Sequence, residues 1–130
     1  MSEQKVYFTL EQANAVAQAI RPLLGEILAI RQAIMEDKPR VWPVVERAAG
    51  NGGSKIASEM AREFQRLDDL VREISATGAI LRDINTGLVD FPALQEDREI
   101  FLCWRQDESS VSYWHEVDSG FSGRKLISNW

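Results

Sequence analysis

The sequence TLEQANAVAQAIRPLLGEILAIRQAI, which spans residues 9 to 34, has the clearest secondary-structure pattern in the chain. Its apolar side chains recur at alternating steps of three and four residues, at Ala13, Val16, Ile20, Leu23, Ile27, Ile30 and Ile34. A β-strand would alternate at every second residue, so this spacing predicts a long α-helix with a coiled-coil-like apolar stripe. Thr9 followed by Gln12 has the pattern of a capping box, which predicts that the helix begins at that point.

Prolines interrupt this helical pattern. Pro22 removes one backbone hydrogen bond and costs about 3 kcal/mol in a helix interior. The apolar spacing keeps its phase across Pro22, so we expect one kinked helix rather than two. Pro39 and Pro43 are expected to end the helix or to restart it as a short piece around Val44–Ala49.

A second helix is predicted after the glycine-rich connector Gly50–Gly53. Ser54 is its expected N-cap and Gly78 the glycine that ends it. Its apolar stripe consists of Ala57, Met60, Phe64, Leu67, Val71 and Ile74. Residues 1–77 are therefore predicted to form an antiparallel helical hairpin. The two stripes are long for one small sheet to cover, so we also expect a homodimer through the helices.

Residues 78–130 have the spacing and composition of short strands and turns. Glu99–Arg105 and Val111–Val117 are the clearest strands, because they are rich in aromatic and β-branched residues. The remaining assignments are a short strand at Ala79–Asp83, a strand Leu88–Phe91 ending at Pro92, a polar link Ala93–Arg98, a hairpin loop Gln106–Ser110 and a glycine-rich loop Asp118–Arg124.

Together these assignments predict a single α+β domain over residues 1–130, in which the helical hairpin packs on a small antiparallel sheet of three or four strands.

The composition limits the classes of partner and the cellular location that we expect for the protein. The 15 basic and 20 acidic residues give a net charge of −5, which argues against a nucleic-acid partner. One cysteine excludes an internal disulfide, and neither a signal peptide nor a membrane span is evident, so we expect a cytoplasmic protein without a membrane partner.

The candidate site residues concentrate around the two clearest strands and are Asp90, Trp104, Arg105, Tyr113, Trp114, His115, Asp118 and Arg124. His115 is suited to act as a base, a metal ligand or a hydrogen-bonding clamp, although pairing with a local carboxylate or carbonyl is the favoured interpretation. The two arginines could bind an anion, but pairing with Asp90, Glu116 or Asp118 is favoured for them as well.

Cys103 and His115 lie on one face of the sheet only if Cys103 faces Tyr113. They lie on opposite faces if Cys103 faces Ser112, and the loop between the strands does not decide between these registers. A buried structural cysteine is the favoured interpretation. His115 and Glu116 alternate across the strand and cannot aim at one ion from a regular strand, whereas Asp118, beyond the strand end, could reach it. Because this ligand count is small, we predict no metal site, and the cofactor stays unknown.

Five segments of the chain resemble one family. These are Tyr7–Asn14, Gly87–Pro92, Cys103–Arg105, Tyr113–His115 and Gly120–Arg124, which together resemble the domain of unknown function family 2203. The resemblance implies a bacterial, cytoplasmic, stand-alone protein, and it implies no reaction and no catalytic residues.

We therefore expect an uncharacterised, non-enzymatic binding or interaction module, whose sheet presents aromatic, histidine and arginine side chains to a protein partner or a small polar ligand. The alternative is a small enzyme or ligand sensor that uses His115 as base or ligand and Arg124 as an anion clamp.

Overall fold

The structure is a computed structural model that describes residues 6–49 and 61–128. The described residues form the helices α1 (Leu10–Asp37), α2 (Trp42–Ala48) and α3 (Ala61–Ala76), followed by the strands β1 (Ile80–Asp83), β2 (Leu88–Gln95), β3 (Arg98–Arg105), β4 (Tyr113–Glu116) and β5 (Lys125–Leu126). This order confirms an α+β fold, with the helices in the first half of the chain and the strands in the second.

Helix α1 is one continuous helix that contains Pro22, as its unbroken apolar spacing predicted. The capping box at its start is confirmed, because Thr9 Oγ1 accepts a hydrogen bond from the Gln12 N–H and Gln12 Oε1 accepts one from the Thr9 N–H. The most buried side chains of α1 are Ala13, Ala17, Ile20, Leu24, Ile27 and Ile34. The stripe is broader than predicted because α1 contacts both α3 and the sheet, so predicted members such as Leu23 lie at its border.

The short helix α2 confirms the restart after Pro39, and Pro43 lies in its first turn, where its missing N–H costs nothing. Helix α3 buries Phe64, Leu67, Leu70 and Ile74. Its predicted N-cap Ser54 and the first stripe residues Ala57 and Met60 lie outside the described residues. The predicted end is confirmed, since Gly78 has a φ of +94° directly after the last turn.

The sheet is an antiparallel meander of five strands in the order β1-β2-β3-β4-β5, so the prediction of three or four strands is wrong. The uncounted strand is β5, where Lys125 and Leu126 pair with Trp114 and Tyr113. Two residues are too few to show an alternating pattern, which is why the sequence did not reveal this strand.

The predicted link Ala93–Arg98 is also wrong, because β2 continues to Gln95 and turns into β3 through Glu96 and Asp97 alone. Both turn residues have a positive φ, +52° and +66°. Two-residue hairpin turns with this geometry normally carry Asn and Gly, so the pair Glu-Asp gave no signal.

Pro92 lies inside β2 rather than ending it. The pairing with β1 stops at Asp90, and beyond that point the edge of β2 meets Phe8, whose N–H donates to the Pro92 carbonyl over 2.7 Å. Pro92 therefore lies beyond the ladder between β1 and β2, at an edge where a strand tolerates a residue without an N–H.

The two faces of the sheet have different environments. The inner face carries Val89, Phe91, Ala93, Ile100, Leu102 and Trp104, which form one core with the buried residues of the helices. The outer face is the opposite one, and the register places Asp90, Cys103, Tyr113 and His115 on it. Among the described residues, no helix is both long enough and apolar enough to cross a lipid bilayer.

Candidate functional site

Three neighbouring strands bring Asp90, Cys103 and His115 together on the outer face. Asp90 of β2 lies directly opposite Cys103 of β3, and His115 of β4 lies opposite Phe101, on the diagonal to Cys103. Of the two registers open at the sequence level, the structure has the one that pairs Cys103 with Tyr113. The three side chains are buried, and one potential ligand atom from each lies within 4.8 Å of the other two. We call these three residues the Asp-Cys-His cluster.

Both ring nitrogens of His115 have partners inside the protein. Nδ1 lies 2.7 Å from the backbone carbonyl oxygen of Glu116. A carbonyl oxygen only accepts hydrogen bonds, so Nδ1 carries the hydrogen of this pair. Nε2 then faces Asp90 at 3.1 Å from each carboxylate oxygen. The favoured interpretation of His115, pairing with a carboxylate and a carbonyl, is what the structure shows.

Arg82 is a second partner of the Asp90 carboxylate. Its Nε donates to Asp90 Oδ2 over 2.8 Å, and its guanidinium carbon lies 5.0 Å from the ring centre of Phe101. The Arg82 side chain is 43% exposed, so it connects the buried carboxylate with the surface. Sequence analysis missed Arg82. The residues Asn85, Thr86 and Gly87 have the composition of a turn that would place β1 beside β2. An irregularity between Leu81 and Asp83, however, hides which β1 side chains share the face of Asp90.

The thiol of Cys103 is protected from ionisation by its surroundings. Burial, and then the nearby Asp90 carboxylate, raise the pKa of Cys103 from 9.0 to about 12, and Arg124 only partly opposes this. The thiolate is the nucleophilic form of cysteine, so the protein on its own holds Cys103 in the inert form near neutral pH.

A cavity of about 360 Å³ lies against the Asp-Cys-His cluster. Its lining also includes Arg82 and Leu88, together with Val117, Asp118, Gly120 and Phe121 of the segment after β4. Of the predicted site residues, Asp90, His115 and Asp118 therefore lie at one cavity. The chain has placed polar side chains on a sheet face that the helical core does not cover.

Arg124 holds the segment after β4 against the sheet. Its Nη1 and Nη2 donate to the two carboxylate oxygens of Glu108 over 2.8 and 2.7 Å, and Nη2 lies 3.3 Å from the Cys103 carbonyl oxygen. Its guanidinium stacks on the rings of Tyr113 and Phe121, at 4.0 and 4.8 Å. Both terminal nitrogens of Arg124 are thus engaged by Glu108, a carboxylate that the sequence analysis did not consider for this role.

The electrostatics of this pair follow from its burial. Burial acts to raise the pKa of the Glu108 carboxyl, but the hydrogen bonds from Arg124 and from the Arg105 backbone N–H outweigh it, so the pKa is lowered. Glu108 is therefore ionised at neutral pH and forms an ion pair with Arg124.

The other predicted site residues lie away from the cavity. Trp104 is fully buried on the inner face, where its Nε1 donates to the Glu108 carbonyl over 3.0 Å. Trp114 also packs against the inner core and is flanked by Arg98 and Lys125. Arg105 pairs with Asp107. Strand alternation thus divides the predicted aromatic surface between two faces, so the two tryptophans and His115 do not form one surface.

One of the comparisons with known proteins identifies a family. A family model described as "Uncharacterized conserved protein (DUF2203)" matches residues 6–127, so the chain belongs to this family. No curated protein and no solved structure matches the chain.

Proposed function

We propose that the protein is a non-enzymatic binding module and that the cavity beside the Asp-Cys-His cluster binds a small polar ligand. The observation that carries this proposal is the placement of the cluster. Three buried side chains with polar heads, from three strands, line a cavity of about 360 Å³ on the sheet face opposite the core. Cavities of this size with a few convergent polar groups are the usual form of small-ligand sites.

The energetics of burial favour a binding role over a purely structural one. A buried polar group carries a desolvation cost, which its hydrogen bonds inside the protein offset only in part. Asp90 and His115 each expose only 3% of their side chains, so well-packed apolar residues would stabilise the fold at least as well. Buried polar groups of this kind are common where side chains serve a ligand.

Binding fits the site better than catalysis. The Cys103 thiol is held in its protonated form, and the Nε2 of His115 faces Asp90 rather than a reacting group. The alternative role of Arg124 as an anion clamp has little support, because Glu108 occupies both of its terminal nitrogens. Among the described residues that line the cavity, Arg82 is the cation, and Asp118 is a second carboxylate beside Asp90.

The remaining expectations about partners and location stay proposals. A homodimer through coiled-coil packing of the helices is one of them. Its rationale is weaker than the sequence suggested, because the described stripe residues of α1 and α3 already pack in the core of one chain. A bacterial origin, a cytoplasmic location and the absence of nucleic-acid and membrane partners rest on the family resemblance, the net charge of −5 and the single cysteine. Sedimentation equilibrium of the full chain tests the dimer, and a monomer at all concentrations contradicts it.

The binding proposal is tested by protein-observed NMR of the isotope-labelled full chain, with a mixture of small carboxylic acids, amines and alcohols as probes. We expect fragments to bind the full chain and to shift the backbone amides around residues 90, 103 and 115. The variant Val117→Trp fills the mouth of the cavity and should abolish this binding. The matched control is Val44→Trp on α2, because Val44 and Val117 are 46% and 51% exposed. Fragment binding that survives Val117→Trp, or that never involves these amides, refutes the proposal.

A further inference from the structure

The Asp-Cys-His cluster offers the donor set of a transition-metal site. Asp90, Cys103 and His115 contribute one oxygen, one sulfur and one nitrogen, and these atoms lie within 4.8 Å of one another. Sulfur and imidazole donors are typical of zinc-class ions, whereas magnesium and calcium take oxygen donors. We infer that Asp90, Cys103 and His115 bind one divalent zinc-class ion at the base of the cavity, an inference that rests on the proposed binding role of that cavity.

The hydrogen bonding of His115 prepares its Nε2 for a cation. Nδ1 donates to the Glu116 carbonyl, so a neutral ring turns the Nε2 lone pair toward the two Asp90 oxygens at 3.1 Å. Lone pairs that face each other repel unless a cation lies between them, and that cation is either a proton or a metal ion. Metal-binding histidines characteristically donate their second N–H to a carbonyl or carboxylate, as His115 does here.

The spacing of the donors suits an ion of this size. Zinc lies about 2.0–2.2 Å from nitrogen and oxygen donors and about 2.3 Å from sulfur, so donors around a tetrahedral ion are roughly 3.3–3.6 Å apart. The His115 nitrogen and the Asp90 oxygens are at 3.1 Å, and no pair in the cluster exceeds 4.8 Å. Side-chain shifts of roughly 1 Å therefore bring all three donors to one ion.

The groups around the cluster also fit a bound dication. The Asp90 carboxylate and a Cys103 thiolate supply two negative charges, and binding displaces the thiol proton to solvent. Arg82 donates to Oδ2 of Asp90, which orients the carboxylate and leaves Oδ1 for the ion. Three protein donors leave a fourth position, and all three residues line the cavity, from which a water molecule or a small ligand would reach the ion.

The test is a titration of the chelator-treated full chain with Co²⁺, followed by displacement with Zn²⁺. We expect one Co²⁺ per chain, with thiolate-to-cobalt charge-transfer absorption and visible bands that Zn²⁺ abolishes. Cys103→Ala should remove the charge-transfer band, and Asp90→Asn should weaken binding at least tenfold. Glu116→Gln is the matched control, since this carboxylate lies on the other side of β4 and pairs with Arg98. It should bind Co²⁺ as the wild type does.

A folded wild type that binds no Co²⁺, or a charge-transfer band that persists in Cys103→Ala, overturns the inference. If Asp90→Asn does not fold, the urea unfolding midpoint is measured with and without Zn²⁺ instead. We expect Zn²⁺ to raise the midpoint of the wild type and to leave that of Cys103→Ala unchanged. Fragment binding distinguishes the two proposals. If fragments bind to the wild type and cobalt does not, only the metal site is refuted. If no fragment binds to the wild type at this cavity, the proposed function itself is refuted.

Discussion

Replacing Arg124 by methionine should strongly destabilise the outer face of the sheet. Arg124 and Glu108 form a two-point ion pair whose side chains are only 11% and 18% exposed. The substitution leaves the Glu108 carboxylate largely buried with one remaining donor, the Arg105 backbone N–H at 2.9 Å. Removing one partner of a buried pair costs about 3–5 kcal/mol, and the residual donor and partial exposure place Arg124→Met near the lower figure, at about 3 kcal/mol.

The protein contains a matched control for this prediction. Arg66 and Glu26 form a two-point pair with similar distances, 2.6 and 2.8 Å, but their side chains are 50% and 42% exposed. Water screens such a pair, so Arg66→Met should leave the unfolding midpoint nearly unchanged. The double variant Arg124→Met/Glu108→Gln should be more stable than Arg124→Met, because it removes the unpaired carboxylate.

Urea unfolding followed by tryptophan fluorescence measures these differences. The pH dependence adds a second criterion. Because the pKa of Glu108 is lowered in the folded chain, the pair stabilises the protein above the ordinary carboxyl range and loses this effect as the pH falls through the folded pKa. The loss of unfolding free energy caused by Arg124→Met should therefore be smaller at acidic pH than at neutral pH. The reasoning is refuted if Arg124→Met costs no more than Arg66→Met at neutral pH.

Three further predictions concern stability. With chelator present, the free energy of unfolding should fall as the pH rises from about 9 toward about 12, because folding raises the pKa of Cys103 across this range. Urea titrations of Cys103→Ala should lack this pH-dependent fall, and a pH profile identical to that of the wild type would contradict the prediction. Glu96→Asn with Asp97→Gly should raise the unfolding free energy by about 1 kcal/mol, measured by urea denaturation, because both residues have positive φ; a loss of stability would argue against this turn. Thr9→Ala should cost about 1 kcal/mol in thermal unfolding through loss of the capping box, and an unchanged midpoint would refute the cap.

The helical part of the fold was largely predictable because its signals are local. The Thr9 cap, the continuity through Pro22 and the end at Gly78 each depend on residues within one or two turns. The width of the α1 stripe was not predictable, since it depends on which elements pack on both sides of that helix. The Glu-Asp turn and the two-residue β5 were missed because neither has a characteristic residue pattern.

The candidate site was predictable only in part, because it depends on strand register. The sequence identified Asp90 and His115 as candidates and left the face of Cys103 open, and only the register decided it. The same alternation separates Trp104 and Trp114 from His115, although Trp114 and His115 are adjacent in the sequence and Trp104 lies on the neighbouring strand. Arg82 could not be assigned because a strand irregularity beside it breaks the alternating count.

The metal site is examined most directly in an anomalous difference map from crystals of the full chain grown with Zn²⁺. We expect one zinc peak within about 2.0–2.3 Å of a carboxylate oxygen of Asp90, Sγ of Cys103 and Nε2 of His115, with its open side toward the cavity. A map without a peak at these three side chains, in crystals where they keep their positions, would contradict it.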